Sequence, residues 1–116
     1  MIEVKKIVSL IIISTILVAC TNKTQNIEPN SYTKEGYCVV DTDEQMQIGL
    51  NRFNTKKDFK EKCNSKMIFK FKENQCTKFT MKDMKFNILI QNSKDKYTFK
   101  IGEERTICGK TIIESI

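Results

Sequence analysis

The sequence predicts an α+β fold. The expected domain is a small antiparallel β-meander of about five strands with one short helix, stapled by disulfides and set behind an apolar N-terminal segment. Three observations predict it. From Met67 onward, apolar residues recur at every second position, the period of a sheet with one buried face. Just before them, Phe59 and Cys63 stand four apart behind a capping residue, Asn54 or Thr55, the spacing of a helix face. Finally, four cysteines fall within residues 37–116 of a chain that contains no histidine.

The elements follow in order. Tyr37, Cys38, Val39 and Val40 form a short apolar run after Gly36 and suit a buried strand. Asp41 to Glu44 interrupt it. The next segment, Gln45 to Phe53, fits two periods: Met46, Ile48 and Leu50 alternate, whereas Met46, Leu50 and Phe53 share a helical face, with Gly49 weakening the helix. Asn54 or Thr55 caps a helix over Lys56 to Cys63, with Asp58 in its first turn. Four alternating runs come next, centred on Met67–Phe71, Thr77–Met81, Phe86–Ile90 and Tyr97–Ile101, and a weaker fifth covers Arg105 to Ile113. Glu73–Gln75, Lys82–Asp83, Asn92–Asp95 and Gly102–Glu104 read as the turns between them. The meander would present one apolar and one lysine-rich face, the helix covering the apolar one.

The first 36 residues read differently. Lys5 and Lys6 precede an apolar run, Ile7 to Ala19, that is 13 residues long. A bilayer-spanning helix needs about 20 apolar residues, so the run fits the core of an export signal better than a permanent anchor. The run ends in Leu17-Val18-Ala19-Cys20. This tetrapeptide resembles the lipobox of bacterial lipoproteins. The resemblance covers residues 1–20 and implies that residues 1–19 are a cleaved signal peptide. It also implies that the Cys20 thiol carries a diacylglyceryl group and that the freed amine is acylated. No other cofactor is expected. A thioether needs sulfur, which explains why a cysteine closes the motif. Two or more acyl chains hold a protein durably on a bilayer. Thr21, where some members carry an aspartate, implies the outer membrane in a host that has two. Residues 20–36 read as the lipidated cysteine and a polar tether, and residues 37–116 as the single globular domain.

A domain of 80 residues buries only about 60–65% of its unfolded surface, and small exported domains commonly add disulfides. Cys38, Cys63, Cys76 and Cys108 are spaced by 25, 13 and 32 residues, with none of the close pairs typical of zinc sites, so two bridges are expected and no metal. Three pairings are possible. Cys63 and Cys76 bracket one strand and its turn, which speaks against joining them. Cys38–Cys63 with Cys76–Cys108 is the preferred of the remaining two.

Charge and chemistry narrow the function classes. The chain has 20 Lys and Arg against 14 Asp and Glu; beyond residue 19 these become 18 and 13, a net +5. Such a surface suits an anionic envelope partner, although lysine on outward strand positions is also a common guard against aggregation. Nucleic acid is not expected, because the aromatics follow the core-facing period rather than interleaving with lysines. Without histidine there is no ordinary Ser-His-Asp or Cys-His site. Gly109-Lys110-Thr111 lacks the upstream glycine of a phosphate loop, position 104 being glutamate. Asp41, Asp43 and Gln45 begin like a calcium loop, but Met46 stands where its glycine belongs and Arg52 where its glutamate belongs. Glu103 and Glu104 are adjacent, which on a strand sends them to opposite faces. The expectation is a non-catalytic lipoprotein of the cell envelope, facing the periplasm or cell exterior and binding a protein or surface partner. The alternative is an inhibitor of an extracytoplasmic hydrolase such as a lysozyme, against which the shared basic charge counts.

Overall fold

A computed structural model describes residues 2–3 and 28–116. Its centre is a mixed sheet of six strands: β1 (Ser31–Tyr32), β2 (Cys38–Val40), β3 (Lys66–Thr80), β4 (Ile88–Gln91), β5 (Lys96–Phe99) and β6 (Glu104–Ser115). They lie in the order β1-β2-β3-β6-β4-β5. In addition, Ile2–Glu3 pairs antiparallel with β3, Ile2 opposite Phe79 and Glu3 opposite Lys78. Two short helices, α1 (Asp43–Ile48) and α2 (Lys56–Cys63), are separated by a 3-10 turn over Gly49–Arg52.

The helices begin where polar caps satisfy their first free amides. The Thr55 hydroxyl accepts from the Asp58 amide at 3.1 Å, and the Thr42 hydroxyl accepts from the Gln45 amide at 3.4 Å. Asn64 ends α2 in the left-handed conformation, with φ of 51°, and its side-chain amide donates to the Glu35 carbonyl at 2.9 Å. The segment with two possible periods is therefore helical. Gly49, at φ of 50°, stops α1 and lets the chain tighten into the 3-10 turn that buries Leu50.

The sheet differs from a simple meander in three ways. First, β2 runs parallel to β3, Val39 opposite Ile68. Helices α1 and α2 form the crossover between these two strands, as a parallel connection requires. Second, Glu73–Gln75 are not a turn. Residues 66–80 form one strand of 15 residues whose register against β6 shifts between Lys70 and Gln75. Such an irregularity bends a strand, and the Phe69 and Phe79 rings, ten residues apart on β3, meet edge to face at 5.5 Å. Third, the weak fifth run is a central strand. β6 has 12 residues and lies between β3 and the β4–β5 hairpin. One residue of each strand forms a continuous inner row, Tyr32–Cys38–Met67–Glu114–Ile90–Tyr97.

The core lies on that inner face. Helix α2 turns Phe59 and Cys63 into it, and Phe59 packs between Phe53, at 5.4 Å, and Phe86, at 6.4 Å. Two disulfides are present. Cys38–Cys63 is buried and ties β2 to the last residue of α2. Cys76–Cys108 joins directly opposed residues of β3 and β6 on the exposed face, just past the register shift. Residues 28–36, assigned above to the tether, belong to the folded part: Pro29 is buried, β1 pairs with β2, and the Thr33 carbonyl accepts from the Gly36 amide at 3.0 Å.

Candidate functional site

An open recess lies where the described chain from residue 28 enters the domain. Glu28, Arg52, Phe53, Asp58, Glu61 and Lys62 line an open cleft of about 400 Å³. Three pieces of backbone build it: the segment before β1, the 3-10 turn and the outward face of α2. The Cys38–Cys63 bridge holds them in place, because it fixes the C-terminal end of α2 against the strand that pairs with β1.

At one wall, the Glu28 carboxylate accepts from Lys62 Nζ at 2.8 Å and from the Tyr32 hydroxyl at 2.9 Å. The same ammonium lies 6.0 Å from the centre of the Tyr32 ring. These contacts set the ionisation. The bond from Lys62, then that from Tyr32, hold the Glu28 carboxyl below its ordinary range. The bond to Glu28 raises Lys62. Partial burial, then the hydrogen bond to Glu28, push the Tyr32 phenol up. Arg52, also in the lining, is partly buried. Its Nε donates to the Gly49 carbonyl at 2.8 Å and its Nη2 to the Gln45 carbonyl at 3.0 Å. Burial lowers this guanidinium to about 10, so it stays charged at neutral pH.

A general acid or base works best with a pKa near the ambient pH. Glu28 moves away from that range, and Asp58 and Glu61 are exposed carboxylates. Phe53 reaches the cleft from the core, where it packs on Phe59, and charges of both signs stand around it. Arg52 also supports the fold, because it accepts no replacement that reaches both carbonyls in the same way. Arg52→Ala is expected to lower stability by about 1–3 kcal/mol through the lost charged hydrogen bonds, measurable by urea denaturation, with Arg52→Lys recovering only part.

A second unusual group lies in the core. Glu114 occupies the middle of the inner row, with a relative exposure of 0%, and among the described residues neither carboxylate oxygen has a hydrogen-bond partner. Burial pushes its pKa up to about 8. Neither this residue nor the cleft stood out in the sequence. Glu28 and Lys62 are 34 residues apart and carry no pattern that joins them; the one hint was Arg52, one of only two arginines.

Of the residues singled out from sequence, Leu17, Val18, Ala19 and Cys20 lie outside the described residues, as does the rest of the tether up to residue 27. Gly109, Lys110 and Thr111 are part of β6. Asp43 opens α1, and Asp41 is exposed, its amide donating to Asn30 Oδ1 at 2.7 Å. Glu103 and Glu104 have separate structural partners: a Glu103 Oε1 that accepts from the Lys100 amide at 2.6 Å, and an ion pair between Glu104 and Lys78 at 3.2 Å. No protein-family model, no curated protein and no solved structure matches this chain.

Proposed function

We propose that the protein is a lipid-anchored component of the bacterial cell envelope whose small folded domain binds a partner and performs no catalysis. One observation carries the reading: the distribution of its five cysteines. Four are joined in two disulfides. The fifth, Cys20, closes the Leu17-Val18-Ala19-Cys20 motif behind a 13-residue apolar run. Disulfides persist in exported proteins and are rare in the cytosol. The odd cysteine is thus the one that the lipobox resemblance destines for acylation, in a chain whose other thiols are oxidised.

The domain supports a binding role through the mixed-charge cleft. Glu28 and Lys62 hold each other in their charged forms, and among the described residues no nucleophile–base pair accompanies them. The partner is a protein or an anionic surface of the envelope, met by a domain suspended from the membrane. Where the host has two membranes, the outer one is the proposed site.

The test is the Cys20→Ser variant, compared with the parent by metabolic labelling with a fatty acid and by sedimentation of membranes. The parent is expected to incorporate label and sediment; the variant is expected to lose the label, remain uncleaved at residue 19 and change its fractionation. Equal cleavage and sedimentation of the two forms would contradict the anchor.

A further inference from the structure

The bent strand β3 has two edges with different partners. Along one edge, β6 pairs with residues 66–70 and 75–80. Along the other, β2 pairs with residues 67–69, and Ile2–Glu3 with residues 78–79. Helix α1 lies beside the Ile2–Glu3 segment. Maturation before Cys20 removes this segment. The β3 edge at Lys78–Phe79 then keeps its extended backbone but loses the strand that completes its ladder.

Exposed sheet edges are ordinarily guarded by charge. On β3 the guarding charges Lys70, Lys72 and Glu73 stand in the exposed middle of the strand. At the distal end the pattern is different: Thr77 and Phe79 are buried, and Lys78 is engaged with Glu104. Strand addition at such an edge draws affinity from main-chain hydrogen bonds and specificity from alternate side chains. In the register of the chain's own N-terminus, an apolar residue stands opposite Phe79 and an acidic one opposite Lys78.

We propose that, in the processed protein, the Lys78–Phe79 edge of β3 accepts an extended segment of a partner polypeptide carrying an apolar residue followed by an acidic one. The site is occupied by the chain's own leader until processing opens it. A second copy of the same strand fits poorly. β3 carries Lys66, Lys70, Lys72 and Lys78 against Glu73 alone, so two such edges crowd like charges, and the mature chain is net +5. The inference rests on the anchored-lipoprotein reading, because only cleavage vacates the edge.

The experiment uses the processed, oxidised protein, labelled with nitrogen-15 and extracted from membranes in detergent. Its intact mass is recorded first. A synthetic peptide with the sequence of residues 1–6 is then titrated while amide shifts are followed. Shifts confined to Thr77–Thr80 and to α1 are expected. The Glu3→Lys peptide should bind more weakly by up to about fivefold, the upper end for one cross-strand charge pair. In the Lys78→Glu protein the preference between the two peptides should reverse, which a merely structural effect of residue 78 would not produce. A protein of mature mass that shows no shift at millimolar peptide, shifts elsewhere, equal affinity for both peptides, or a dimer that shields this edge overturns the strand-acceptor site alone. A mass that retains residues 1–19 overturns the lipoprotein reading and this inference with it.

Discussion

Glu114→Gln will make the domain more stable than the parent at neutral and alkaline pH, while the two remain nearly equal below about pH 4.5. The cause is the place of Glu114 in the inner row, between Met67 and Ile90, with neither oxygen hydrogen-bonded among the described residues. A buried carboxylate without a partner is costly, so the folded state favours the neutral acid. The pKa rises from 4.5 in the open chain to about 8 in the fold. Between these values the folded chain holds a proton that the unfolded chain releases. Linkage then requires stability to fall as pH rises. The loss begins near pH 4.5 and is complete above about pH 8. Its full size is on the order of several kcal/mol, a large share of the 5–15 kcal/mol typical of a domain. Glutamine copies the shape of the neutral acid and does not titrate. Guanidinium denaturation of both proteins at several pH values should give curves that meet in acid and diverge toward pH 9. Parallel curves would mean that Glu114 ionises without penalty and reaches water.

Removing the buried bridge, by Cys38→Ala with Cys63→Ala, should leave the domain largely unfolded at 37 °C. The bridge closes a separation of 25 residues, for which chain entropy alone contributes about 3–4 kcal/mol. It also anchors α2, and with it Phe59, over the inner face. A domain of this size has little stability in reserve. The second bridge spans a similar 32 residues, so the entropic contribution is alike, but its sulfurs lie on the exposed face and no helix depends on it. Exchange needs access of a thiolate to the sulfur. Mild reductant should therefore open Cys76–Cys108 while the fold persists, and Cys38–Cys63 only when the domain unfolds. Alkylation followed by mass spectrometry of peptides resolves the order. Simultaneous release of both bridges from the folded protein would show that α2 opens readily.

How far the fold was legible depended on how local its causes are. Thr55 and Asp58 mark the start of α2 because a cap acts across three residues. The alternation of Met67, Phe69 and Phe71 marks a strand because successive side chains point to opposite faces. Glu73 to Gln75 misled for the same reason. Their polarity resembles a turn, yet the chain continues as a bent strand whose exposed middle needs no apolar residues. Gly49 misled in the other direction: a helix breaker by composition, it ends one helical segment and opens a tighter one. The cleft was illegible, since Glu28 meets Lys62 only after β1 has paired with β2 and α2 has been tied down.

By itself the sequence determined the extent of α2, the strand character and buried face of most of residues 66–101, and the excess of basic charge, because capping, two-residue alternation and charge are properties of neighbouring residues. Only the tertiary structure decided that β2 runs parallel to β3, that β6 lies at the centre of the sheet, and that a carboxyl group sits in the middle of the core. Strand order depends on which edges meet after the two helices have crossed over, and the environment of Glu114 is made by β3 and β4, whose inner-row residues lie 47 and 24 positions away. Contacts of that range leave no periodic trace along the chain.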